Sequence, residues 1–103
     1  MPRTVHPDLP DDTERAIDIL GNRVRVAVIR SLLTAGPATR GTLAERLGVS
    51  ASLLQKHLAA LEELGAVQLT PPRSVPGVRP RFYSTDVATI SQVVEALRNG
   101  LSL

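Results

Sequence analysis

The feature that most constrains this chain is a three-residue break, Gly48-Val49-Ser50, between two amphipathic stretches. Before the break, Leu43, Ala44 and Leu47 mark the apolar side of a short helix over residues 39 to 47, with Thr39 as its cap. After it, Leu54, Leu58, Leu61 and Leu64 recur at spacings of four, three and three, one stripe along a second helix capped by Ser50. Gly48 closes the first helix and small polar residues open the second, so the short connection holds the two in one unit.

The flanking segments extend this unit. A helix over residues 11 to 20 starts with Asp11 or Asp12 as cap and with acids in its first turn, and Ala16, Ile17, Ile19 and Leu20 give it an apolar side. After Gly21, Asn22 caps a helix in which Val24, Val26, Ala27, Val28, Ile29, Leu32 and Leu33 nearly encircle the axis, the pattern of a central buried helix that ends at Gly36-Pro37. Beyond Gly65, residues 66 to 70 alternate like a half-buried strand, and Arg81-Phe82-Tyr83-Ser84 supplies a second. Residues 71 to 80 between them are rich in proline, glycine and arginine and predict an exposed, stiff hairpin loop, a wing. A last helix, opened by Ser84, Thr85 or Asp86, sets Val87, Ile90, Val94, Leu97 and Leu101 at alternating spacings of three and four, the period of a coiled-coil seam. The fold class expected is mainly α with a small β-hairpin: a winged helix-turn-helix of five helices and a two-stranded wing.

Composition narrows the chemistry. At 103 residues the chain suits one domain, with 43% hydrophobic but only 2% aromatic residues, so the core must be aliphatic. The absence of cysteine removes disulfides, thiolate metal sites and a catalytic thiol. The longest apolar runs fall far short of the roughly 18 residues that span a bilayer, and the N-terminus lacks a signal-peptide core, so a soluble cytoplasmic protein with no membrane partner is expected. Residues 1 to 10, with three prolines, predict a disordered arm, and residues 11 to 103 the folded domain. Net charge is only +2, but residues 21 to 82 hold nine basic side chains against three acids while both flanks are acidic. The basic centre is what a phosphate-facing surface requires; a merely solvated surface is the plainer alternative.

The segment Leu47-Gly48-Val49-Ser50-Ala51-Ser52-Leu53-Leu54-Gln55-Lys56-His57-Leu58, continuing to Val67, resembles the helix-turn-helix of the arsenic-repressor (ArsR) family of winged regulators. Residues 21 to 33 resemble the family's preceding helix, and Arg79-Pro80-Arg81-Phe82-Tyr83-Ser84 the far side of its wing, so the likeness covers roughly residues 14 to 101. It implies binding to double-stranded DNA. Many relatives sense metals through cysteines before the recognition helix, or through Asp, His and Glu on the C-terminal helices. Here residues 39 to 47 hold no thiol or imidazole and the last helix has Asp86 and Glu95 but no histidine. No metal and no cofactor is therefore expected.

Candidate DNA-reading residues follow from position. Ala51, Ser52, Gln55 and Lys56 lie opposite the leucine stripe near the N-terminus of their helix, and the capping Ser50 is counted with them as a DNA-binding candidate. Gln55 can pair with adenine, Ser52 with several bases or a phosphate, and Lys56 with guanine or the backbone; Leu53 meets a thymine methyl or the core. His57 suits phosphate contact or local packing, and it lacks the partners that metal ligation or general-base catalysis needs. Arg73, Arg79 and Arg81 reach phosphates or a minor groove from the wing, or simply keep it soluble. Arg25 and Arg40, near helix N-termini, either face the DNA backbone or form surface ion pairs.

The seam on the last helix has two outlets, its own domain or the first helix together with a symmetry mate. The surplus apolar surface of Ile17, Leu20, Ile90, Val93, Val94, Leu97 and Leu101 favours a twofold homodimer. The function expected is sequence-specific regulation of transcription, as a repressor on an inverted repeat, with no enzymatic activity and an effector left open. The alternatives are a winged module for an acidic protein partner and a DNA partition or architectural protein.

Overall fold

The computed structural model describes residues 7–103; most of the arm expected over residues 1 to 10 lies outside that range. Five helices and one hairpin follow in the order α1 (Asp11–Leu20), α2 (Arg23–Ala35), α3 (Arg40–Leu47), α4 (Ala51–Glu63), β1 (Gln68–Thr70), β2 (Phe82–Ser84) and α5 (Val87–Gly100). The strands pair antiparallel, Gln68 with Ser84, Leu69 with Tyr83 and Thr70 with Phe82. Ala38, between α2 and α3, adds a bridge that the sequence does not announce: its N–H donates to the Tyr83 carbonyl and the Tyr83 N–H to its own. That bridge fixes the hairpin to the helical body next to the start of α3. No helix among the described residues is long and apolar enough to cross a membrane.

Local chemistry sets the helix ends. The Asn22 side chain accepts from the N–H groups of Val24 and Arg25, Thr39 from Thr42, Ser50 from Leu53 and Asp86 from Thr89, each satisfying donors that a first turn leaves open. The Asp86 carboxylate is held below its usual pKa, first by the Thr89 N–H and then by the Thr89 hydroxyl. The cap expected at Asp11 or Asp12 is absent: Pro10 precedes the first turn without a side-chain bond, and Asp11, Asp12 and Glu14 lie inside the helix. There they favour the helix through its dipole alone. Gly48 stops α3 in the left-handed conformation, φ 65°, which lets α4 start only three residues later.

The core is one aliphatic cluster, with Leu54, Leu58 and Leu61 of α4, Val28 of α2, Leu43 of α3 and Ile19 of α1 fully enclosed. The expectation that α2 is buried all round is too strong, since only Val28, Ile29 and Leu32 are buried and Val26 and Leu33 remain exposed. Val26 is exposed and Ala27 half-buried because α2 has packed helices on one side and an open cleft on the other. Arg15 of α1 donates through Nε to the Leu64 carbonyl at 2.8 Å and so closes the C-terminus of α4. Thr85 holds the base of the hairpin by donating to the Ala66 carbonyl at 2.7 Å.

α1 and α5 form the most extensive helix contact of the molecule, and it redistributes the expected seam. Ile90 and Val93, expected at a dimer interface, are buried in this chain's own core. The reason is steric: small residues at Ala16, Ala96 and Gly100 let α1 lie close along α5, which turns the Ile90–Val93 side inward. Val87, Val94 and Leu101 stay exposed, together with Ile17, while Leu20 and Leu97 are partly covered.

The close approach is tightest at Gly100, where an added Cβ would overlap the buried Thr13 side chain, whose hydroxyl has no hydrogen-bond partner among the described residues. Gly100→Ala should therefore destabilise the fold by about 1–3 kcal/mol despite alanine's better helix propensity. Thermal unfolding should register this as a loss of at least about 4 °C in Tm; an unchanged or raised Tm would contradict the packing described.

Candidate nucleic-acid interface

The leucine stripe fixes how α4 is rotated. With Leu54, Leu58 and Leu61 inside, Ala51, Ser52, Leu53 and Lys56 are left exposed on the first two turns, and Gln55 is half-exposed. Ser50 belongs to the scaffold of this face, because its hydroxyl accepts the Leu53 N–H at 3.2 Å. Arg40, at the start of α3, donates to the Gln55 side-chain carbonyl at 2.8 Å. The two residues therefore form one polar unit bridging α3 and α4, and the Gln55 amide nitrogen still points its donors elsewhere.

The wing is organised by two of its own arginines. The Arg81 guanidinium donates to the Pro71 carbonyl at 2.8 Å and also to those of Pro72 and Val75, filling the inside of the loop with a charge-assisted network. Arg73 makes a two-point contact to Glu62 of α4, Nε to Oε2 at 3.2 Å and Nη2 to Oε1 at 3.0 Å, and its Nη2 also reaches the Tyr83 hydroxyl. Its pKa is raised further, first by the Glu62 hydrogen bond and then by that carboxylate's charge, so Arg73 stays protonated. Arg79 has no hydrogen-bond or ion-pair partner among the described residues and is exposed in the loop, three residues before β2. Between α4 and the wing runs a groove of about 480 Å³, into whose walls Arg40, Gln55, Arg73, Arg79, Arg81 and Tyr83 all project. Four guanidinium groups on one concavity concentrate positive potential where a phosphate backbone could run.

His57 faces elsewhere. It is half-buried, and its Nδ1 accepts from Arg25 Nε at 3.1 Å, while Arg25 Nη1 donates to the Asp18 carbonyl in the last turn of α1 at 2.7 Å. Through Nδ1, His57 packs at the corner that Arg25 ties together between α1, α2 and α4. Burial, and secondarily the Arg25 charge, lowers the His57 pKa and keeps the ring neutral and able to accept. Among the described residues no group of three or more His, Cys, Asp or Glu is arranged to hold a metal.

The helix-turn-helix domain family matches residues 20–70, which span α2 to β1. The same architecture recurs in reduced HlyU from Vibrio cholerae, 24% identical over 85% of this chain and 86% of that one, with a TM-score of 0.63. It recurs in an ArsR family transcriptional regulator, 22% identical over 94% of both chains, TM-score 0.66. NolR from Sinorhizobium fredii is 24% identical over 92% of this chain and 95% of that one, TM-score 0.61. This chain has the winged helix-turn-helix fold. Among curated proteins, none matches it by sequence. In this winged helix-turn-helix the fold-level likeness extends over nearly the whole chain, beyond the segment the domain family covers.

Sequence reasoning missed Glu62. It counted only as one of three acids in a basic region, and its contact with Arg73, eleven residues on, depends on how the hairpin folds back over α4. It also missed the pairing of Arg40 with Gln55, although both were separately singled out. The sign of the His57 shift gives a test of the α1–α2–α4 corner. The folded state binds fewer protons at His57 than the unfolded chain, whose histidine titrates near the ordinary 6.5. The stabilisation is complete above that value and is lost as pH falls through the lower folded pKa. Between pH 7.5 and about pH 5 the Tm of the parent chain should fall more than that of His57→Gln; equal slopes would mean the ring is not held neutral by its surroundings.

Proposed function

We propose that this winged helix-turn-helix protein is a sequence-specific, double-stranded-DNA-binding regulator of transcription that acts as a homodimer. The observation that carries the reading is the continuity of the exposed N-terminal face of α4 with a groove containing four arginine side chains, closed on its far side by the wing. Ala51, Ser52, Gln55 and Lys56 enter the major groove and read base edges, while Arg79 and the free donors of Arg40 and Arg73 meet phosphates. Ser50, Arg81 and His57 hold these groups in place. Fold-level likeness to an ArsR family transcriptional regulator supports the same reading.

Residues 11 to 103 act as the functional domain, with residues 1 to 10 as an arm, in the cytoplasm. The exposed Ile17, Val94 and Leu101, flanked by Leu20 and Leu97, supply an apolar strip on α1 and α5 for a second copy. A twofold dimer sets two α4 helices in successive major grooves about 34 Å apart, on an inverted repeat, and represses by excluding polymerase.

Selection of duplexes from a randomised pool tests this reading: a palindromic consensus is expected, and recovery without any preference would overturn specific regulation. On the selected site, Arg79→Ala should weaken binding uniformly across sequences and reduce the log-log salt slope by about 1. Gln55→Ala should instead cost about 1–3 kcal/mol at one base position and relax the preference there, both read by fluorescence anisotropy.

A further inference from the structure

A second arginine cluster lies apart from the α4–wing groove and shares no residue with it. Arg23 and Arg30 stand seven residues apart on α2, two turns or about 10.5 Å along the axis, so they share one side of the helix. Arg46 projects from the end of α3 to line the same cleft, whose volume is about 520 Å³. All three are exposed, and among the described residues none makes a hydrogen bond through its side chain or an ion pair. The cleft between them is partly aliphatic: Val26, Ala27 and Leu47 line it beside the hydroxyl-bearing Ser31 and Thr34, and Val26 is 42% exposed.

This combination selects its ligand by chemistry. Three unpaired guanidinium groups around one cleft repel one another and are relieved by an anion, which each can bind through paired N–H donors. A nucleic-acid backbone or inorganic phosphate would satisfy the charges but leave Val26 and Leu47 in water. A purely apolar molecule would bury these side chains and leave the charges unanswered. The volume lies within the range of small-molecule sites, which combine apolar lining with a few placed polar groups. We propose that the α2–α3 cleft binds a small anionic amphiphile, a carboxylate or phosphate monoester carrying a short aliphatic chain. The head group sits among Arg23, Arg30 and Arg46 and the chain lies on Val26, Ala27 and Leu47. Because the cleft ends at Leu47, one residue before the Gly48-Val49-Ser50 turn, its occupant adjoins the start of α4 and so has a route to the reading face.

Isothermal titration calorimetry on the full chain tests the site without DNA, with decanoate as the probe and acetate and decanol as the controls lacking the chain or the charge. Decanoate should bind at least tenfold more tightly than either control. The double variant Arg30→Ala/Arg46→Ala should lose at least tenfold in decanoate affinity, whereas Arg79→Ala should leave it unchanged. Equal binding of decanol, equal binding of acetate, or decanoate binding that survives the double variant would each overturn the proposal, as would no binding at all. Loss of duplex affinity in Arg30→Ala/Arg46→Ala comparable to that in Arg79→Ala would reassign the cleft to the DNA contact. The decanoate result stands whether or not the chain reads DNA sequence, so the two readings fail separately.

Discussion

The reading face proposed for this protein depends on the burial of three leucines on one side of α4. Leu54, Leu58 and Leu61 have no exposed surface, and each contributes about 1.5–3 kcal/mol by leaving water. Rotating α4 by a quarter turn would expose them and lose several kcal/mol, a large share of a small domain's stability. The helix is therefore locked in rotation, and Ser52 and Lys56, opposite the stripe, are forced outward, with Gln55 half-exposed at its flank and Ala51 exposed on the first turn. The polar face follows from the apolar one. Ser50 at the cap and the left-handed Gly48 fix where that face begins.

A locked helix would still be a narrow reader without the hairpin. The wing is a loop with little core of its own, and it is held by polar contacts: Arg81 binds its inner carbonyls and Arg73 fastens it to Glu62 of α4. Exposed ion pairs of this kind are individually weak. The Ala38–Tyr83 bridge and the buried Leu69 and Tyr83 provide the firmer attachment at the base. The outcome is a hairpin fixed at its root, beside which Arg79 remains unengaged on the groove wall, an arrangement suited to contacting a phosphate backbone.

Much of this was legible in the sequence because period and punctuation dominate it. The leucine spacing, the Gly48 stop and the caps at Asn22, Thr39 and Ser50 are local signals, and the helices they delimit are those observed. What was not legible depends on contacts distant in sequence. Ile90 has the periodicity of an outward seam and Val93 lies beside it, yet the close approach permitted by Gly100 and Ala16 buries both against α1. Arg25 and Arg81 look like free cations, but the former is engaged by His57 and the Asp18 carbonyl and the latter by wing carbonyls. A charge count cannot separate arginines that build the fold from those left over. Only the structure isolates Arg79 on the reading side and Arg23, Arg30 and Arg46 on the other.

The central claim is that one surface, the N-terminal face of α4 with the wing, is where this winged helix-turn-helix protein meets DNA. Amide chemical-shift mapping during titration with a tight-binding duplex tests it most directly. The largest changes should fall on residues 50 to 56 and 73 to 81, with α1 and α5 little affected. Changes centred on α5 or on the α2–α3 cleft, with residues 50 to 56 unmoved, would contradict the account.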